Sequence, residues 1–406
     1  MHRYLRRGGR LALFLAALLA LYTLLLLAAY SFPDEWIREN VTAATNVLIE
    51  EGNMPGGYAT YFWHSGFGIA DNVTDRVIYE GLLKNGRNVV DAAMRTDYAR
   101  YWHGYAVLLR PMSIMLSIIN IRYLNMMAVM GLLVLCCWHC RARLGARTAL
   151  CFWVALAMGF VLLAPFCQQY MPVTLLTLLA CCVLLGGWPR IRRFLPESFM
   201  LLGSVVCFLD FLTFPVLALG YPLVCCLLLM LREGGSPARL WKHALLLPML
   251  WMAGYSLTWL GKAVIGTLLT EQNVMADVLH QVAFRMDGSF DTGSYTITMT
   301  AAEALLPNLN TFFMGSNKAL FLLLLLWTGF LALRRGRVCL KAAAKALPVL
   351  FVALFPFIWY LVLKNHVRLH FWMTYKQLSV TVFAACAWLL AAAEAGDTAP
   401  RFPQTT

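Results

Sequence analysis

Four clusters of residues have types and spacings suited to chemistry. In the first, Asp34 and Glu35 follow an apolar run directly, and Asp71-Asn72-Val73-Thr74-Asp75 sets two further carboxylates one helical turn apart. Carboxylates grouped at a membrane surface can act as a general base or share a divalent cation. Each also has a structural use. Asp34 and Glu35 suit the first turn of a helix, and Asp71 suits the N-cap of a helical run. The second cluster is Arg100-Tyr101-Trp102-His103-Gly104-Tyr105, followed by Arg110-Pro111. A cation in apolar surroundings is costly and usually keeps an anionic partner. The Arg fork fits phosphate oxygens, while the aromatic rings suit either a sugar or an interfacial belt.

The third cluster is Asp210-Phe211-Leu212-Thr213-Phe214-Pro215, a carboxylate inside an apolar span with a helix break after it. It reads as a substrate cavity or as a buried Asp holding a broken helix end. The fourth is Lys364-Asn365-His366-Val367-Arg368-Leu369-His370, then Tyr375-Lys376. His366 and His370 share one helical face, a spacing that can hold a metal. No acid completes a metal-hydrolase motif there. Two His, two Lys and one Arg in so short a stretch suit an anion such as phosphate, or snorkelling at the interface. No metal site is expected. Cys137-Trp138-His139-Cys140 resembles half a zinc site with no second half.

The elements that position these clusters follow from composition. The chain has 406 residues, 61% hydrophobic and 13% charged. Ordinary globular chains have roughly 45–50% and 25%. Such a surplus cannot be hidden in a soluble core, and it excludes disorder. The net charge of +13 falls in short clusters between apolar runs, such as Arg141, Arg143, Arg147 and Arg190, Arg192, Arg193. That is the positive-inside pattern rather than a nucleic-acid surface. Most of the 12 cysteines lie within apolar runs, so no disulfide framework is expected.

The expected fold is all-α: one integral membrane domain over residues 1–406, a polytopic bundle of about ten spans. They fall near 11–31, 121–140, 148–166, 171–188, 197–212, 215–231, 243–264, 318–333, 346–363 and 376–394. The first run is too long for a signal-peptide core and reads as an uncleaved helix. Alternating basic clusters place both termini in the cytoplasm of a multi-pass cell-membrane protein. Acids crowd into two long outer loops, 32–120 and 265–317. The first is expected to carry an amphipathic surface helix over 36–49, a Gly- and aromatic-rich loop over 56–68, a second helical stretch over 74–97, and a short re-entrant or interfacial helix over 105–119. The second reads as a flexible loop with short helices, able to act as a lid. No internal repeat is visible.

This layout resembles the GT-C superfamily of integral membrane glycosyltransferases. A first span leads to a large outer loop with an acid near its start, several spans follow, and a second outer loop comes late. The stretches 71–75, 100–105 and 365–375 also resemble bacterial membrane proteins of this shape. The resemblance implies a polyprenyl-phosphate-linked sugar donor and an outer-face acceptor, which is a glycan, lipid or protein. It implies an inverting transfer with Asp34, Asp71 or Asp75 as base. Arg110, His366, Arg368 and Lys376 would neutralise the leaving phosphate, with Arg100, His103, Asp210, Asn365, His370 and Tyr375 around the substrate. No cofactor beyond a divalent cation is implied. The alternative is a transporter or lipid flippase built on Asp210 and the 364–376 cluster. A third reading is a non-catalytic partner in a cell-envelope complex.

Overall fold

A computed structural model describes residues 2–55, 68–95, 97–291, 296–334 and 340–394. Helix α1 (His2–Ser31) leads through a 3-10 turn at Asp34–Trp36 into four short helices: α2 (Arg38–Glu50), α3 (Asn72–Glu80), α4 (Val89–Met94) and α5 (Ala106–Met115). The bundle continues through α6 (Ile118–Leu144), α7 (Ala146–Met158), α8 (Met171–Gly186), α9 (Trp188–Ile191), α10 (Leu195–Leu209), α11 (Val216–Arg232) and α12 (Pro237–Leu269). The second long connection holds α13 (Val274–Asp287), then β1 (Ser289–Asp291) paired antiparallel with β2 (Thr296–Thr298), then α14 (Ala301–Phe312). The chain closes with α15 (Ser316–Arg334), α16 (Leu340–Phe351), α17 (Phe355–Val362), α18 (Lys364–Leu369), α19 (Phe371–Thr374) and α20 (Leu378–Glu394). Apart from that small hairpin, the described secondary structure is helical.

Six helical stretches are long and apolar enough to cross a bilayer: Leu11–Ser31, Ile118–Leu144, Gln168–Gly186, Pro237–Leu269, Leu340–Val362 and Phe371–Ala393. A seventh, Ala301–Phe312 with Ser316–Leu331, is bent by 86°. The expected spans 148–166, 197–212 and 215–231 become α7, α10 and α11, of 13, 15 and 17 residues. A straight crossing takes about 20. Local chemistry stops two of them early. Phe160 sits in the left-handed region at φ +55° after α7, and Asp210 ends α10 by accepting from Thr213. Every residue of α11 from Val216 to Met230 is buried. Protein therefore surrounds α11 on all sides, which is where an all-round apolar helix belongs.

The two ends of the bundle differ in character. At one, Asp75 meets the 167–169 turn, Gly104 meets Phe208, Arg100 meets Asp277, and His366 meets Leu212. At the other, Arg232 donates to the carbonyls of Arg143 and Leu144, and Arg192 pairs with Glu233.

In the segment between α1 and α6, α2 begins close to where the amphipathic pattern puts it, but its buried face of Val41, Ala44 and Leu48 packs on α3, α5 and α6. The partner of that face is protein; Trp36, expected on the same face, is 55% exposed. The stretch expected to be helical over 74–97 splits into α3 and α4, with left-handed Asn85 and Gly86 between them. The short helix over 105–119 is α5, ended by the Ser117 cap of α6. The Gly- and aromatic-rich loop at 56–68 lies outside the described residues except for Gly68.

Candidate active site

Asp34 and Arg110 form a buried pair with no capacity to spare. Arg110 Nη2 lies 3.3 Å from Asp34 Oδ1. Its guanidinium also donates to the carbonyls of Ala29 at 2.8 Å, Phe32 at 2.7 Å, and Leu82. The Tyr30 ring lies 4.6 Å beneath it. Asp34 Oδ2 accepts from the backbone N–H groups of Lys84 at 2.7 Å and Asn85 at 3.3 Å. The anionic partner that Arg110 needs is thus Asp34, and together they pin α1, α5 and the turn after α3. Among the described residues, Arg110 bonds to Ala29, Phe32, Asp34 and Leu82 and not to the 364–376 segment, so these two expected phosphate-binding groups are not brought together.

Asp71 and Asp75 occupy different environments on α3. Asp71 is the N-cap, accepting from Thr74 N–H and Thr74 Oγ1, each at 3.0 Å. Asp75 is buried inside. Its carboxylate accepts the backbone N–H of Gln168 at 2.8 Å and of Gln169 at 3.1 Å. Burial outweighs those bonds and raises its pKa to about 7. The Gln168-Gln169 turn is the functional neighbour that the sequence gives no reason to suspect.

The Arg100–Tyr105 cluster acts as a knot between distant elements. Trp102 Nε1 donates to the Thr258 carbonyl at 2.8 Å, Trp259 Nε1 to the Arg100 carbonyl at 2.7 Å, and Lys262 Nζ to the Met94 carbonyl at 2.8 Å. Arg100 lies over the Tyr98 ring and 3.5 Å from Asp277. His103 Nε2 donates to the Tyr98 carbonyl at 2.8 Å, leaving Nδ1 to accept from Tyr105 OH at 2.9 Å. Burial, then Arg95, pushes the His103 pKa well below its ordinary value. Gly104 is required here: a Cβ would fall 2.5 Å from the Phe208 carbonyl oxygen that its N–H meets.

Asp210 holds the broken helix end. Its carboxylate accepts from Thr213 N–H at 3.0 Å and Thr213 Oγ1 at 2.6 Å. That turn puts Leu212 at φ +67° and turns its carbonyl toward α18. His366 Nε2 donates to this carbonyl at 2.8 Å. His366 Nδ1 is then the acceptor, and Arg285 Nη1 lies 3.3 Å from it.

Arg285 is the candidate site residue that sequence reasoning misses. It lies on α13, in a stretch that reads as a polar loop. The available signal is helical spacing: Val274, Val278 and Arg285 are the buried residues of α13 and share a face. Among the described residues, Arg285 has no carboxylate within ion-pair distance. Asn365 fixes α13 from the other side, donating to the Phe284 and Ser289 carbonyls.

His370 lies between opposing charges. Burial lowers its pKa most, Arg285 lowers it further and Asp71 partly restores it, leaving it at about 4. His366 is driven well below its ordinary value by burial, Arg285 and His370. Both rings, 4.9 Å apart by centroid, are neutral at neutral pH. They can accept or donate hydrogen bonds but do not supply charge to a phosphate. Arg368 points elsewhere, into an open cleft of about 390 Å³ with Glu303 and Asn310. Lys376 is buried against the rings of Tyr375, Tyr170 and Phe160 at 4.8, 5.0 and 5.5 Å.

Beside Arg285 opens a cavity of about 350 Å³ between α10, α11, α12 and α17. Trp251, Tyr255, Trp259 and Trp359 wall it, and Arg285 is the one charged residue in its lining. Its rim residues Met252, Ile358 and Val362 are exposed on the flank of the bundle. The arrangement can hold an apolar chain with an anionic head against Arg285. Among the described residues, no group of three or more His, Cys, Asp or Glu could hold a metal ion. No family model, no curated protein and no solved structure matches the chain.

Proposed function

We propose that the protein is a membrane glycosyltransferase of the GT-C type, moving a sugar from a polyprenyl-phosphate donor to an acceptor on the outer face. The observation that carries this reading is the apolar groove with Arg285 at its end. A polyprenyl chain needs an apolar channel open to lipid, and its phosphate needs a cation at the depth of the headgroups. A buried guanidinium without a carboxylate partner is costly, and a bound phosphate offsets that cost. His366 orients Arg285, and the Asp210 turn orients His366.

Asp71 is the base. Asp34 is committed to Arg110 and two backbone N–H groups, and Asp75 is enclosed by the 167–169 turn. Asp71 lies close enough to His370 to raise its pKa, and Arg285 acts on the same ring. Asp71 takes the acceptor hydroxyl proton. The freed oxygen attacks the anomeric carbon opposite the leaving group, and the bond from that carbon to the phosphate oxygen breaks. The electron pair goes to the phosphate, whose growing charge Arg285 stabilises. The chain crosses the cell membrane about ten times with both termini cytoplasmic. The meeting of the expected outer connections at one end, and of the basic ones at the other, supports that alternation.

The test is transfer from a panel of polyprenyl-phosphate sugars by wild type, Asp71→Asn and Arg285→Gln. Transfer by wild type and its loss in both variants is expected. Binding of a polyprenyl phosphate without transfer of any sugar would overturn the reading. It would favour a flippase or transporter, to which the buried Lys376 also points.

A further inference from the structure

Between α6 and α8 lies a pair of thiols that the transfer reaction does not use. Both helices belong to stretches long and apolar enough to cross a bilayer. Cys136 Sγ on α6 is 3.0 Å from Cys182 Sγ on α8. Cys136 Sγ also lies 3.0 Å from the Leu178 carbonyl, and Cys182 Sγ 3.6 Å from the Leu132 carbonyl. Each thiol thus reaches the carbonyl four residues before the other cysteine, the one that already accepts that cysteine's own backbone N–H. This reciprocal contact fixes the two sulfurs face to face. Cys136 is fully enclosed, whereas Cys182 is 6% exposed. Its neighbours on α8, Leu179 and Val183, are each 48% exposed on the flank of the bundle.

We propose that Cys136 and Cys182 form an intramembrane dithiol that reduces a lipid-soluble hydroperoxide and closes to a disulfide. A cysteine used only as a small apolar filler needs no sulfur opposite it. A disulfide bond is about 2.05 Å long, so closing it takes a shift of about 1 Å shared between two side chains. The reagent class follows from the surroundings: a charged oxidant does not enter an apolar helix flank, and an alkyl hydroperoxide does. Cys182, the more exposed thiol, attacks the terminal peroxide oxygen. An S–O bond forms, the O–O bond breaks, and the alcohol leaves with the thiol proton. Cys182 is then a sulfenic acid, with a resolving thiol beside it. The Cys136 sulfur attacks the Cys182 sulfur, the S–O bond breaks, and hydroxide leaves as water with the Cys136 proton. The dithiol loses two electrons, and the hydroperoxide gains them as alcohol and water. The inference does not depend on the transferase reading, because it uses none of the same residues.

The experiment treats the reduced, detergent-solubilised full chain with cumene hydroperoxide, or with oxidised glutathione as a charged oxidant. Remaining thiols are then alkylated under denaturing conditions, and the peptides are read by mass spectrometry. With the hydroperoxide, wild type should yield a peptide linked through Cys136 and Cys182. Oxidised glutathione should yield none. In Cys136→Ser the resolving thiol is gone, so dimedone should capture the sulfenic acid on Cys182. Cys182→Ser should give neither a link nor an adduct on Cys136. Cys140→Ser, which removes a buried thiol one turn further along α6, should link as wild type does. If a serine variant does not fold, the wild-type comparison of the two oxidants still decides. Absence of the link in wild type, an equal yield with oxidised glutathione, or a dimedone adduct on Cys136 rather than Cys182 would overturn the inference.

Discussion

Arg285 donates to His366 Nδ1 across 3.3 Å, and the direction of that bond is set by the Leu212 carbonyl on the far side of the ring. Burial lowers the His366 pKa most, and Arg285 lowers it further, because protonation would turn Nδ1 into a donor facing a guanidinium. Arg285→Gln should therefore weaken binding of a polyprenyl phosphate by roughly 1.5–3 kcal/mol, the scale of a charged hydrogen bond. His366→Ala should weaken it less, by loosening Arg285. Arg190→Gln, at the opposite end, serves as the control. Thermal stabilisation by the lipid checks all three, and equal stabilisation would remove the donor site.

Asp34 and Arg110 should behave as one structural unit. Removing either leaves a buried charge without its partner, at about 3–5 kcal/mol. Arg110→Ala and Asp34→Asn should each lower the unfolding midpoint strongly, and the double variant by much less than the sum. Additive losses in a double-mutant cycle would show that the pair is not coupled.

Asp71 allows its two roles to be separated. Asn caps a helix about as well as Asp, so Asp71→Asn should fold with near-normal stability. It cannot take a proton, so turnover should fall ~10²–10⁴-fold. Thr74→Val should do the reverse, costing stability with modest loss of turnover. Normal turnover in Asp71→Asn rules this residue out as the base.

Asp75 should leave a signature in pH. Its pKa rises from 3.8 unfolded to about 7 folded. Folding therefore takes up a proton within that window, and stability falls as pH rises through it, by up to about 4 kcal/mol. His366 and His370 act the other way, since their lowered values remove stability as pH falls below about 6.5. The measurement is thus the difference in unfolding midpoint between wild type and Asp75→Asn from pH 4 to 8. A difference independent of pH would contradict the raised value.

Apolar runs reveal most of the architecture, because about 20 apolar residues in succession have few other uses. The long helices α1, α6, α12 and α20 fall near their expected places. The lengths of α7 and α10 are harder to foresee, since Phe160 and Asp210 end them through backbone conformations that no hydrophobic pattern encodes. In the site, the density of cations at 364–376 draws notice, yet their neighbours come from remote segments. Leu212, Arg285 and the Gln168-Gln169 turn become relevant only once the chain is folded. Arg110 misleads for the same reason. Its need for an anion is visible in sequence, while the identity of that anion, Asp34, is a tertiary fact.

The knot that joins Arg100 and Trp102 to α12 also sets a timetable for synthesis. Met94, Arg100 and Trp102 bond to residues 168, 159 and 156 positions later in the chain. At ~5–20 residues per second, the ribosome needs roughly 8–30 s to supply those partners. On the proposed topology, the segment between α1 and α6 is translocated throughout that interval with its aromatic face uncovered. Assembly is therefore a matter of late docking: α12 arrives as the element that closes over a segment made long before it. A nascent chain stopped before α12 should be open to external protease around residues 98–105, and one extended past α13 should be shielded there.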